Sequence, residues 1–321
     1  MRTPSPNPGP ILIAGPTASG KSGLALALAE RVGGTVINAD SMQVYRELRI
    51  LTARPTPEDE ARAPHALYGF VSGAEAYSAG RYAADAAQAI AEARAVGRVP
   101  IVVGGTGLYF KALLEGLSPI PAAAPEVRAF WRAEGARQPA RELHALLTAR
   151  DPEMAGRLMP TDTQRIVRAL EILESTGRSL AAWQREPGRP VLAERETVRL
   201  LLLPERAGHG PLIDARFDAM LAAGVLEEVR ALLAERLSSE LPIMRAHGVP
   251  ALAGHLQGAL SLEEAVAAAK SDTRQYAKRQ LTWLRRNMIA WKQLNPKELE
   301  RFMAQEFPFI MHGLDPTRPD P

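Results

Sequence analysis

Short uninterrupted apolar runs alternate with longer amphipathic stretches over the first third of the chain. Ile11-Leu12-Ile13-Ala14, set between Pro10 and Gly15, has the length and composition of a buried strand. Lys21 to Arg31 follows with Leu24 and Leu28 one turn apart and stops before Gly33-Gly34, which predicts a helix. Thr35-Val36-Ile37 predicts a second strand carrying Asn38-Ala39-Asp40 at its carboxyl end. Ala83 to Val96 predicts an alanine-rich helix, ended by Gly97. Ile101-Val102-Val103 is a further buried strand, leading through Gly104-Gly105-Thr106-Gly107 into an apolar helix from Leu108 to about Leu114. Strands alternating with helices imply a parallel sheet covered on both faces.

The pattern changes after Leu117. Ser118 to Pro125 is a proline-rich connector, and from Glu126 to Trp183 every periodic stretch is helical. A strand-like run returns only at Thr197 to Leu203. The expected organisation is therefore an α/β core from residues 11–120 and 197–314, interrupted by an all-helical insertion at 121–196. Helices are predicted over Pro211 to Ala223, Val225 to Arg236 and Leu262 to Trp291. Residues 1–10 and 315–321 are expected to be disordered tails.

Composition narrows the chemistry. The 321 residues contain no cysteine, which removes disulfides, thiolate metal sites and cysteine nucleophiles from consideration. At 46% hydrophobic and 23% charged, the chain has globular composition. No apolar stretch is long enough to span a bilayer, and the proline-dotted start has no signal-peptide core, so a cytoplasmic protein with no membrane partner is expected. Nothing marks an oligomeric interface, and a monomer is expected. Net charge is only +3, yet Lys270 to Lys292 holds seven basic residues against the single acid Asp272. That local asymmetry suggests an anionic partner.

Gly15-Pro16-Thr17-Ala18-Ser19-Gly20-Lys21-Ser22 satisfies the phosphate-loop pattern G-x-x-x-x-G-K-[ST] at every fixed position, between a predicted strand and a predicted helix. Backbone N–H groups in such a loop point at phosphate oxygens, the helix start adds partial positive charge, and Lys21 adds a full one. Ser22 supplies a hydroxyl for Mg²⁺. The expected fold is thus α/β, a P-loop NTPase-like parallel sheet covered by helices. The acid that NTPases carry at the end of a second strand to hold Mg²⁺ and position water is missing, because Ile101-Val102-Val103 runs into glycines. Asp40 lies at a strand's carboxyl edge, where ligands of open sheets bind. It could act as a general base, or merely cap a turn. Thr106 has the same two readings. On these residues alone, a P-loop kinase of a small or nucleotide substrate, with Asp40 as base and Arg128, Arg132 and Arg137 in a lid, stands as the alternative.

Several segments together resemble one family. Residues 15–22, Asp40-Ser41-Met42-Gln43-Val44-Tyr45, Thr52-Ala53-Arg54-Pro55, the stretch from Val103 to Pro121, Arg216-Phe217 and Lys278-Arg-Gln-Leu-Thr-Trp-Leu-Arg285 are similar, in order and spacing, to the tRNA dimethylallyltransferases, also called the IPP transferase family. The resemblance implies transfer of a prenyl group from dimethylallyl diphosphate to the exocyclic amine of the adenine 3′ of the anticodon in tRNA. The missing acid then has a reason: the loop holds a diphosphate leaving group, and no water needs positioning. By the same resemblance Asp40 is the base, Thr106 and Arg216 steady the diphosphate or the adenine, and Mg²⁺ accompanies the diphosphate.

The resemblance also points to RNA-facing residues: Asp40, Ser41, Met42 and Gln43; Arg128; Gln164, Arg165, Ile166, Val167 and Arg168; Arg245; and Arg274, Lys278, Arg279, Gln280 and Arg285. At 100° per residue Arg274, Lys278 and Arg285 fall within about 40° of one another, and Arg279 and Arg286 lie farther round the same polar side, opposite Leu284. Asp162 or Thr163 is a plausible N-cap, which leaves Arg165 and Arg168 near the positive start of a helix, a poor place for arginine without an anion. The chain departs from the family at His247-Gly248-Val249-Pro250, where an aromatic and a basic residue are usual.

Overall fold

The computed structural model describes residues 9–308. Most of the expected amino-terminal tail and all of 315–321 lie outside them. Pro10, placed in that tail by its sequence, already belongs to the fold, since its carbonyl accepts the Val198 N–H at 3.0 Å. Apolar β1 (Ile11–Ala14) leads through the glycine-rich loop into α1 (Lys21–Val32), which ends at Gly33 in the left-handed region (φ 65°). β2 (Gly34–Asn38), α2 (Pro57–Arg62), the short β3 (His65–Ala66), α3 (Ala79–Ala95), β4 (Val99–Gly104) and α4 (Gly107–Leu114) follow.

The chain divides into two compact units, one built by residues up to Leu114 with those from Val191, the other by Glu115–Pro190. Both ends of the helical unit fall six residues before the expected limits of 121–196. The reason is visible at re-entry: the Leu113 carbonyl accepts the N–H groups of Val191 and Leu192 at 2.8 and 2.9 Å, and Leu192 is buried in the α/β core. The helical unit comprises α5 (Pro125–Arg137), α6 (Ala140–Arg150), α7 (Pro152–Ala155), α8 (Thr163–Thr176) and α9 (Leu180–Trp183). It has its own core, built around Trp131, Leu143, Leu147, Ile166 and Leu170.

The α/β unit resumes with β5 (Val198–Leu202), α10 (Arg206–Ala222), α11 (Val225–Ala234), α12 (Val249–Leu256), α13 (Leu262–Asn287) and β6 (Lys292–Leu294). The sheet is parallel, in the order β3-β2-β4-β1-β5-β6. Alternation along β1 sends Ile11 and Ile13 to one core layer and Leu12 and Ala14 to the other. Two expectations need correcting. The terminal helix stops at Asn287 rather than Trp291, which turns inward and packs edge-on against Phe110. α10 begins five residues before Pro211, which lies inside it. Among the described residues no helix is long and apolar enough to cross a membrane.

Candidate active site

The phosphate loop owes its curvature to two left-handed residues, Ala18 (φ 58°) and Gly20 (φ 81°), which turn successive N–H groups toward one concavity. Thr17 is fixed from three directions. Its N–H donates to Gln280 Oε1 at 2.9 Å, its carbonyl accepts from His209 Nε2 at 2.8 Å, and its hydroxyl accepts from the Arg216 guanidinium. Gln280 also donates from Nε2 to the Gly105 carbonyl at 3.0 Å, tying the phosphate loop to the glycine turn after β4. Lys21 folds back so that Nζ donates to the Pro16 carbonyl at 3.2 Å. Burial lowers its pKa to about 8, partly offset by the charge of Asp40 and reinforced by Arg216.

Asp40 is set by the ends of β2 and β4. Its N–H donates to Asn38 Oδ1 at 2.8 Å, while Asn38 Nδ2 donates to the Asp40 and Leu67 carbonyls. Its carboxylate takes one hydrogen bond among the described residues, from the Met42 N–H at 2.9 Å, closing a local turn. Asp40 thus shapes a turn, the local role its sequence suggested, and its other carboxylate oxygen takes no hydrogen bond among the described residues. Thr106 Oγ1 accepts the Ser41 N–H at 3.0 Å, and the Thr106 N–H donates to the Ala39 carbonyl. Gly104 must be glycine here, because a Cβ would lie 2.0 Å from the Ala39 oxygen.

These parts meet at a cavity that opens to solvent. Thr17, Asp40 and Arg216 line its polar end, and Leu51, Ile213, Phe217 and Met220 an apolar wall; Thr52, Ala246, His247, Thr273 and Tyr276 complete it. α10 supplies Ile213, Arg216, Phe217 and Met220 to that lining as a helical stripe at three- and four-residue steps, with His209 four residues before Ile213 on the same face. Asp40 is the charge that the surrounding groups share. It raises the pKa of Arg216, against the larger lowering by burial, and it adds to the burial that pushes the Tyr109 and Tyr276 phenols up. His247, packed against Tyr276 with ring centroids 4.3 Å apart and planes tilted by 35°, has its pKa lowered by burial and then by Arg279.

The chain matches the family profile described as IPP transferase over residues 43–287 and that described as isopentenyl transferase over residues 10–66. The tRNA dimethylallyltransferase of Methylobacterium nodulans is 58% identical over 294 residues, covering 91% of this chain and 96% of that protein. Its counterpart in Nitrobacter hamburgensis is 55% identical over 298 residues, covering 93% and 94%. The full-length tRNA isopentenylpyrophosphate transferase of Bacillus halodurans superposes with a TM-score of 0.67 at 32% identity, covering 95% of this chain and 96% of that one. A crystal structure of a eukaryotic dimethylallyltransferase acting on tRNA gives a TM-score of 0.78 at 27% identity, covering 95% of this chain and 78% of that one.

The chain belongs to the tRNA dimethylallyltransferase family. Family membership leaves the individual residues to be judged by their surroundings. Ile166 and Val167, expected to face RNA, are core residues of the helical unit at 0% and 8% exposure. Their helix is capped by Asp162, whose carboxylate accepts the Arg165 N–H, and α8 turns Gln164 and Arg165 outward and the following pair, Ile166 and Val167, inward. Gln280 is likewise a correction. It is buried, and its amide braces the phosphate loop instead of reaching a nucleic acid. Gln43 uses its amide to hold the Thr52 and Ala53 carbonyls at 2.8 and 3.0 Å. Ser41 and Met42 stay half-buried beside Thr106 and the cavity.

The remaining basic candidates are accessible. Lys278, Arg279 and Arg285 are exposed on α13, opposite buried Ala277 and Leu284. Arg274 shares that face but is joined to Asp214 at 2.5 Å. Arg245 pairs with Glu240, Arg165 with Asp162 at 3.3 Å, and Arg128 is half-buried on α5. The sequence reading missed His209 and Tyr276. The signal for His209 is the α10 spacing, four residues before Ile213 and seven before Arg216; Tyr276 carries no local signal.

Proposed function

We propose that the protein transfers a dimethylallyl group from dimethylallyl diphosphate to the exocyclic amine of the adenine 3′ of the anticodon in tRNA. The observation that carries this reading is one cavity with a cationic, loop-built end at Thr17 and Arg216, a carboxylate at Asp40 and an apolar wall of Leu51, Ile213, Phe217 and Met220. A diphosphate fits the first, a protonated amine the second and a five-carbon tail the third. A kinase would have no use for that wall.

In the reaction so read, the adenine nitrogen attacks C1 of the dimethylallyl group, the C1–O bond breaks, and its electron pair leaves with the diphosphate. Asp40 accepts the amine proton. The inward-turned loop amides, Lys21 and Arg216 hold the leaving oxygens, so that fixed donors already face the charge that develops on the departing group. Removal of the adenine from its stack costs a few kcal/mol, which contacts elsewhere on the RNA must offset; exposed Lys278, Arg279 and Arg285, with Arg274, Arg245, Arg165, Gln164, Arg168 and Arg128, are the groups we assign to that task.

Mg²⁺ suits the donor set. Ser22 is exposed in the first turn of α1, and hydroxyl and phosphate oxygens are the hard donors Mg²⁺ prefers. Among the described residues no group of three or more His, Asp or Glu could hold a metal by itself, so the ion would arrive on the diphosphate, with Ser22 as the protein's ligand. When bound, it neutralises part of the leaving-group charge. The reading carries with it a cytoplasmic setting, where tRNA is found.

The test is incubation of the enzyme with unmodified tRNA and labelled dimethylallyl diphosphate, without ATP. Label in the RNA at the adenine 3′ of the anticodon is expected. Asp40→Asn should lower the rate at least about a hundredfold, within the range of general-base contributions, and leave tRNA affinity within a few-fold. Consumption of ATP on a small hydroxylic acceptor, with no label in RNA, would establish the kinase instead.

A further inference from the structure

We infer that His209 is a positioning residue of the phosphate loop, acting through one hydrogen bond to the Thr17 carbonyl. The inference rests on the reading of the cavity as a diphosphate site but assigns a residue which that reading does not require. His209 is buried, at 5% exposure, and its Nε2 stands 2.8 Å from a carbonyl oxygen 192 positions earlier in the chain. A carbonyl only accepts, so Nε2 carries the hydrogen.

The bond matters because of where Thr17 sits. The next residue, Ala18, is left-handed at φ 58°, and the rotation of the peptide between them decides whether the following N–H groups converge on an anion. Ala18 has a Cβ and a modest preference against this conformation, so the loop needs outside support. Gln280 holds the Thr17 N–H, Arg216 its hydroxyl, and His209 its carbonyl. Of the three, Arg216 lines the cavity and is already assigned to the diphosphate, and Gln280 also serves the turn after β4. The imidazole bond is the one hydrogen bond given to the His209 ring among the described residues. His209 itself does not line the cavity and reaches it only through Thr17, which does.

The support is mutual. The start of α10, Arg206-Ala207-Gly208-His209-Gly210-Pro211, holds two glycines and a proline, all poor helix formers. Local propensity therefore does not fix this turn against the phosphate loop, and the His209 bond does. Its loss would leave the cation of Arg216 two turns farther along the same helix, in place, while freeing the Thr17 peptide to rotate.

The experiment uses full-length enzyme in three forms: wild type, His209→Gln and His209→Asn. Gln can place its amide nitrogen near the Nε2 position; Asn fills similar space but is too short to reach. We expect His209→Asn to raise the Kd of inorganic diphosphate and the KM of the prenyl donor about tenfold, with kcat and tRNA affinity within about threefold of wild type. His209→Gln should restore both donor constants to within about threefold. Unchanged diphosphate affinity in His209→Asn would overturn the inference. So would equal loss in the two variants, which would make the ring's packing the cause. Should His209→Asn melt below the assay temperature, a folded His209→Gln with wild-type diphosphate affinity supports the inference, and a folded His209→Gln with tenfold weaker affinity overturns it. Diphosphate affinity is read without tRNA or transfer, so failure of the prenyl-transfer reading would show separately, as absent label with the diphosphate response intact.

Discussion

Glu171, buried in α8, accepts a hydrogen bond from Arg168 Nη1 at 3.2 Å, and Arg132 of α5 approaches its other oxygen at 3.7 Å. Both guanidiniums are substantially exposed, at 40% and 56% of their side-chain surface, while the carboxylate between them is only 5% exposed. A buried acid thus holds two arginines from adjacent helices at one surface.

This arrangement makes Glu171→Gln a test with two opposed outcomes. Removing a negative charge raises the net positive charge of the helical unit, so simple electrostatics would tighten RNA binding. If Arg132 and Arg168 act as an oriented pair, loss of the charge-assisted bonds lets them scatter, and RNA binding should weaken by about threefold or more. Weakening is expected. The measurement is tRNA affinity across a salt series, with circular dichroism confirming that the helices persist, and Glu171→Gln should add little to an Arg132→Ala, Arg168→Ala double variant.

The α/β order, the phosphate loop and Asp40 at a sheet edge were legible because each is written locally: apolar runs of strand length, glycines at fixed offsets, an acid just past Val36-Ile37. The sites that escaped detection depend on distant partners. His209 and Gln280 reach Thr17 across 192 and 263 positions, and no local period encodes which carbonyl or amide a side chain will meet. The family resemblance placed Gln280 with Lys278 and Arg279 on the RNA side, yet two residues of helix turn it about 200° from Lys278 and into the core. β3 and β6, of two and three residues, are too short for alternation to register and exist only because a neighbouring strand offers an edge.

The same logic separates Ile166 from Arg165. Adjacent on α8, they were expected to share one role, but Ile166 is buried in the helical core and Arg165 is exposed. Ile166→Ala should destabilise the protein by about 2–5 kcal/mol, through lost burial and the cavity left behind. Arg165→Ala should leave the melting temperature within about 2 °C, since its pair with Asp162 is a surface one, and should flatten the salt dependence of tRNA binding. Thermal melts and filter binding on the two variants decide it. Equal effects on RNA binding at full stability would return Ile166 to the RNA surface.

Gly104 marks the tightest approach near Asp40. A Cβ there would meet the Ala39 carbonyl oxygen at 2.0 Å and its carbon at 2.2 Å, and both atoms are backbone. Gly104→Ala must therefore push the ends of β2 and β4 apart, just where the Ala39 N–H donates to Val103 at 2.7 Å. Overpacking of this kind costs about 1–3 kcal/mol, and Asp40, the next residue, moves with the strand end. The expected result is a lowered melting temperature with a disproportionate fall in kcat. Gly97→Ala is a control, since a Cβ at Gly97 meets nothing within 4 Å and its left-handed φ of 72° makes it costly for backbone reasons alone; it should lower stability without a selective effect on kcat.

His247 gives the site a dependence on pH whose sign follows from its surroundings. Burial is the largest influence and lowers its pKa; Arg279 lowers it further, while Asp272 and Asp40 pull it back up. The imidazole is therefore harder to protonate in the folded protein than in the unfolded chain, where its value is near 6.5. As pH falls through that value, the unfolded chain takes up a proton that the folded one resists. The unfolded state then binds more protons, and stability declines toward acid. The loss begins near pH 6.5 and continues until the folded-state imidazole also titrates. Replacing His247 with Asn removes this component. The fall in melting temperature between pH 7.5 and pH 5.5 should then be smaller in His247→Asn than in the wild type, although the variant starts lower at pH 7.5 because it loses the ring contact with Tyr276. An identical fall in both proteins would mean that His247 takes up its proton as readily in the fold as outside it. The Tyr276 contact would then have to accommodate an imidazolium beside Arg279.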